Sequence, residues 1–176
     1  MFWLYLIVAV VAVLVIAVAA MRSLGARLPE EHVATVSLRL PQAPNAVWKV
    51  ISDAAGHVEW AAGVTNVVRL EDRDGKPAWR QHMGRNSFVL VTTESVPPAR
   101  LVRTIDDDHK MFSGSWTYEL SAEDDGTLVR LTERGRIPSP FARFVMHKFM
   151  DPAMYARKHL VSLAKKFGEP AERVQG

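Results

Sequence analysis

FSGSWTYELSAEDDGTLVRLTERGRI, residues 112–137, is the stretch whose reading decides the fold. Phe112, Gly114, Trp116, Tyr118 and Leu120 share one parity and Ser113, Ser115, Thr117 and Glu119 the other, the alternation of a half-buried strand. GTLVRLTERGRI resumes a strand pattern after Asp125-Gly126, a dipeptide favoured in tight hairpin turns. Two strands joined by so short a turn must run antiparallel, because a parallel pair needs a long crossover.

Upstream the pattern repeats. NSFVLVTTESV and ARLVRTIDD are separated by Pro97-Pro98, and VTNVVRLED and KPAWRQHMG flank Asp74-Gly75. Before them AVWKVISDAAGHVEWAAG carries helical spacing in Val47, Val50 and Ile51, with Pro44 near its first turn and Gly56 interrupting it before a second helical piece. A first strand is read from Ala34, Val36, Leu38 and Leu40, closed by Pro41 and Pro44. Downstream, Ser139 and Pro140 give a cap followed by proline, and Phe141, Phe144 and Val145 share a side. Asp151-Pro152 repeats the signal, so the helix restarts or kinks there. Ala153, Ala156, Leu160, Ala164 and Phe167 then form an apolar stripe, and Gly168 ends it. The expected architecture is α+β: a curved antiparallel sheet of about six to seven strands wrapped on a long C-terminal helix, with two short helices after the first strand.

That order resembles the polyketide cyclase/dehydrase family of the START-like (helix-grip, SRPBCC) superfamily, which also contains the major birch-pollen allergen. The resemblance covers about residues 32–168 and rests on the Pro44-led VW..ISD helix, Trp60, the Gly114-x-Trp116 strand and the Gly126-Thr127 turn. None of these is a catalytic signature. The resemblance implies a hydrophobic cavity between sheet and helix that takes lipids, polyketides or other apolar molecules.

The first 21 residues, MFWLYLIVAVVAVLVIAVAAM, carry no charged side chain, and a run of about 20 apolar residues is long enough to cross a bilayer as a helix. Trp3 and Tyr5 suit an interfacial belt. A cleaved signal peptide with Ala17-Val18-Ala19 as its site is the competing reading. A missing basic start, and an apolar core longer than the ~7–15 residues of such signals, favour the uncleaved anchor. Arg22 and Arg27 follow the run, which puts the soluble domain on the cytoplasmic side. The expected organisation is a single-pass anchor at 1–21, a linker at 22–31, the helix-grip domain at 32–168 and a polar tail at 169–176.

Composition excludes several classes. With no cysteine there is neither a disulfide framework nor a thiolate metal site. The net charge of +3 is scattered, unlike the one-sided basic face of a nucleic-acid binder, so no nucleic-acid partner is expected. No phosphate-binding glycine loop, zinc HExxH or nucleophile elbow is present. The six histidines lack close ligand spacing, and no metal or cofactor is expected. His82, beside Gln81, is read as an ordinary surface histidine, and Asp106-Asp107-Asp108 as a solvated turn rather than a hard-cation site. Arg143, Lys148, Arg157, Lys158, Lys165 and Lys166 read as a solvated helix face that can also meet anionic lipid.

Parity groups Trp79 and Gln81 on one face, and Phe88, Leu90, Thr92 and Glu94 on another strand's face. With Trp60, Trp116 and Tyr118, and with Phe144 and Phe149 from the final helix, they are the expected lining of one apolar pocket. Gln81, Thr92, Tyr118 and either Glu94 or Glu133 would be its few polar groups; a carboxyl there would have a raised pKa and could serve as acid or base. Three functions fit: a membrane-anchored binder of a hydrophobic small molecule such as a lipid or isoprenoid-like compound, a cyclase- or dehydratase-like enzyme, and a structural or regulatory module with a filled core. Two inward carboxyls or a carboxyl–histidine pair favour the enzyme, an apolar lining favours the binder, and a solid interior favours the third.

Overall fold

The computed structural model describes residues 1–107 and 112–176. Helix α1 (Phe2–Ala26) is followed by β1 (Glu31–Leu40), α2 (Pro44–Ser52) and α3 (His57–Trp60). Then come β2 (Val64–Arg69), β3 (Ala78–Met83), β4 (Asn86–Val96), β5 (Arg100–Asp107), β6 (Ser113–Glu123) and β7 (Gly126–Arg136). Helices α4 (Pro140–Phe149) and α5 (Met154–Lys166) follow, and β8 (Val174–Gln175) is last. One antiparallel sheet holds the strands in the order β2-β3-β4-β5-β6-β7-β1-β8. The Asp106–Asp108 run lies partly outside the described residues, as does His109.

Local chemistry explains the main junctions. Asp74 and Gly75 both take positive φ, 51° and 71°, as the two-residue turn between twisted antiparallel strands requires. Ser139 accepts a hydrogen bond from the Ala142 N–H at 3.3 Å, with Pro140 in the first helical position. At Asp151-Pro152 the helix breaks, so the C-terminal helix is two helices with different packing. The polar tail also differs from expectation: it turns back and pairs Val174 with Leu38 and Gln175 with Ser37, and Val174 packs on the core.

The core lies between the β1–β7–β6 part of the sheet and the helices. Val36, Leu38 and Leu40 of β1 and Val129 and Leu131 of β7 meet Val47 and Ile51 of α2 and Ala156, Leu160, Leu163 and Ala164 of α5. Burying each larger side chain contributes about 1.5–3 kcal/mol before entropy is charged against it. Helix α5 packs on β1, β7 and β8, α2 on β6 and β7, and α3 on β2.

Helix α1 is not followed by a free linker. It runs to Ala26 and packs against α4. Gly25 is buried there because a Cβ would collide with the Pro140 carbonyl oxygen. Glu30, just after α1, meets Arg136 at 2.9 Å and Arg143 at 3.1 Å, and both guanidinium groups hold its carboxyl below the usual range, Arg136 foremost. Arg143 is therefore buried at this junction rather than on a solvated helix face.

Candidate inner-face site

Antiparallel pairing puts directly opposed side chains on the same face. Trp79 pairs with Leu90, Gln81 with Phe88, Leu90 with Ile105, Thr92 with Arg103, Arg103 with Trp116, and Leu101 with Tyr118. These residues therefore share the inner face. Leu90, Gln81, Arg103, Ile105 and Tyr118 are buried, while Trp79, Phe88, Thr92 and Trp116 remain half-buried. The guanidinium of Arg69 lies 5.0 Å from the Trp79 ring centroid, within cation–π range.

Glu94 leaves this face. The β4–β5 register shifts between Thr92 and Glu94, so that Glu94 opposes Val102 instead of an inner-face residue. A bulge accommodates one extra residue and reverses the facing of the residues beyond it. Glu94 is exposed and ion-paired with Arg100 at 3.0 Å. Phe144 and Phe149 also lie elsewhere: the Phe144 Cβ faces Gly25 of α1, and Phe149 is 71% exposed. His82 is half-buried on the face opposite Gln81.

At the centre of the inner face is a polar chain built from three separate elements. Arg103, 2% exposed, donates to the Ser52 carbonyl at 2.8 Å and contacts His57 Nε2 at 3.0 Å. His57 Nδ1 lies 3.0 Å from Gln81 Oε1. A guanidinium can only donate, so His57 Nε2 must be the acceptor and Nδ1 carries the proton toward Gln81. The imidazole is thereby locked neutral. Burial first, and the nearby Arg103 charge second, bring its pKa down to about 4. Among the described residues the Arg103 Nε–H has no partner, and no carboxylate lies within ion-pair distance of this guanidinium.

His159 of α5 closes the next layer. Its ring sits 4.6 Å from Trp116, 4.8 Å from Trp60, and 5.9 Å from both Tyr118 and His57. The Tyr118 hydroxyl is 2.8 Å from His159 Nε2. Burial keeps the phenol protonated and the imidazole neutral by pushing their pKa values up and down respectively. Sequence signals for these groups existed: Arg103 stands on the apolar parity between Leu101 and Ile105, and His159 lies within the apolar stripe of α5.

Glu133 of β7 is 2% exposed and, among the described residues, is the one buried carboxyl on this face. The nearby Trp116 indole and Ala156 N–H favour its ionised form, yet burial dominates and raises its pKa to about 7. His32 Nε2 stands 3.7 Å from Oε1, while Oε2 has no partner among the described residues. This carboxyl can hold or release a proton near neutrality. Among the described residues no three His, Asp or Glu side chains converge as a metal site.

Comparison with known proteins agrees with this fold. The di-domain aromatase/cyclase StfQ from the steffimycin biosynthetic pathway superposes with a TM-score of 0.59 and 12% identity, covering 78% of this chain and 50% of that one. This chain thus spans half the length of StfQ. The Zhui aromatase/cyclase from Streptomyces sp. R1128 gives 0.61 at 17% identity, with coverages of 81% and 93%. A protein from Rhizobium leguminosarum gives 0.64 at 14% identity, with coverages of 79% and 95%. At such identities the likeness establishes the helix-grip fold alone. No curated protein matches the chain. The family model described as polyketide cyclase/dehydrase and lipid transport matches residues 31–168, from the first strand to the end of α5, and the chain belongs to that family.

Proposed function

We propose that this chain is anchored to a membrane by α1, with the helix-grip domain on the cytoplasmic side, and that it binds a hydrophobic small molecule, a lipid or isoprenoid-like compound, without altering it. The observation that carries the reading is the inner face of β3–β6. Half-buried Trp79, Phe88 and Trp116 surround buried Leu90 and Ile105, with Gln81, His57 and Arg103 as a small polar group among them. Small-molecule sites are built this way, from apolar walls that supply affinity and a few polar groups that orient the ligand. Burial of ligand surface contributes roughly 25 cal/mol per Å². Helix α1 supports the anchor by length and composition: its 25 residues span about 37 Å against a hydrocarbon core of about 30 Å.

Native mass spectrometry of full-length protein purified in mild detergent should detect a co-purifying apolar molecule, and an apolar dye should compete with it. Trp116 is half-buried, so Trp116→Ala should cost less than the about 3–5 kcal/mol of a fully buried aromatic while changing dye affinity markedly. Absence of any bound molecule or dye, together with a full core penalty, would leave the filled-core module in its place. The close packing of rings around His159 supports that outcome if binding fails. The anchor is tested separately by retention in the membrane fraction after a carbonate wash, with Met1 still attached.

A second reading is favoured by Glu133. A carboxyl with a pKa of about 7, 3.7 Å from a histidine nitrogen, suits general acid–base work of the cyclisation or dehydration kind. Chemical conversion of the bound molecule by wild-type protein, lost in Glu133→Gln with binding retained, would move the assignment from binder to enzyme.

A further inference from the structure

The exposed face of α4 and the α4–α5 corner have no role in the inner site. On α1 the positions that lose exposure are Ala17, Met21 and Gly25, four residues apart and therefore on one stripe, and α4 is the helix packed on α1. Gly25 meets Pro140 and Phe144, in the first half of α4. The later half of α4 must then run back alongside Met21 and Ala17, toward the apolar segment. From Gly25 to Ala17 is about 12 Å of helix, and the ten residues of α4 cover about 15 Å. Phe149 thus reaches the level of the last apolar turns of α1.

The side chains that α4 leaves uncovered have the chemistry of a lipid interface. Phe141 and Phe149 are 39% and 71% exposed, and Tyr155, at the start of α5, is 48% exposed. Exposed Lys148, Arg22 and Arg27 accompany them. The acidic Glu30 nearby is neutralised by Arg136 and Arg143. Apolar and aromatic side chains flanked by cations are what a helix lying in the headgroup region presents.

We infer that α4 dips into the bilayer surface alongside α1, with Phe149 seated at the boundary of headgroups and acyl chains and Phe141 nearer the water, in the headgroup layer. This rests on the reading of α1 as a membrane anchor. It has a consequence for the inner site. β7 ends, and β4 and β6 begin, at the sheet end that carries α4. Trp60, Met83, Phe88 and Trp116 belong to that end, so the aromatic end of the inner face lies toward the bilayer.

The absence of native cysteine makes the test direct. Full-length protein carrying Ile16→Cys, Phe141→Cys, Phe149→Cys or Asp124→Cys is labelled with an environment-sensitive fluorophore and placed in phosphatidylcholine–phosphatidylglycerol vesicles. A lipid-borne quencher is then added. Asp124 lies in the β6–β7 turn, at the opposite end of the sheet. Quenching at Phe149 should approach that at Ile16, quenching at Phe141 should be weaker, and both should exceed that at Asp124 several-fold. Quenching at Ile16, with both α4 positions at the Asp124 level, overturns the α4 contact and leaves the anchor standing. No quenching at Ile16 removes the anchor, and this inference with it. The exposure of Phe149 means that its replacement opens no void in the fold.

Discussion

Glu133→Gln tests the electrostatics of the inner face through the pH dependence of stability. In the folded chain burial raises the Glu133 pKa from 4.5 to about 7. Between those values the folded state holds a proton that the unfolded state has lost, so wild-type stability from this group falls as pH rises. At about 1.4 kcal/mol for each pH unit the full effect is about 3 kcal/mol. Glutamine resembles the protonated acid in size and polarity and cannot ionise. The variant should therefore gain about 3 kcal/mol on wild type between about pH 4.5 and about pH 7. His57 and His159 pull stability the other way, because their folded-state pKa values are depressed, but they are common to both proteins and cancel in the difference. Urea unfolding of the full-length chain in detergent, followed by tryptophan fluorescence across this range, reads the difference. A constant difference, or wild type gaining as pH rises, would refute the claim that Glu133 is a desolvated carboxyl.

Arg103→Met should raise the His57 pKa from about 4, because it removes the second-largest cause of the depression; burial remains, so the value stays below 6.5. Imidazole NMR titration measures it, and an unchanged or lower value would contradict the Arg103–His57 contact. Gly25→Leu should separate α1 from α4, since even a Cβ would collide with the Pro140 carbonyl. A thermal midpoint lowered by the equivalent of about 1–3 kcal/mol is expected, with membrane retention unchanged; an unaltered midpoint would show that the helices do not pack there.

Much of the architecture was legible in the chain. The parity of Trp116, Tyr118 and Leu120, the turn pairs at Asp74-Gly75 and Asp125-Gly126, and the caps at Ser139 and Pro140 are local signals, set by backbone sterics within a few residues. They were enough for the pairing of the hairpins, the starts of α2 and α4 and the apolar span of α1. The polar interior was not local. Arg103, His57 and Gln81 come from β5, α3 and β3, and no spacing along one segment connects them. A single bulge after Thr92 turned Glu94 to solvent, because strand facing has a period of two and one inserted residue inverts it. Likewise the break at Asp151-Pro152 was visible, but not that it frees α4 to pack on α1 and carries Phe144 and Phe149 away from the sheet. The sequence by itself determined the seven longer strands, the starts of α2 and α4 and the apolar faces of those segments. Only the tertiary structure decided which polar groups those faces bring together, because that depends on contacts between residues distant along the chain.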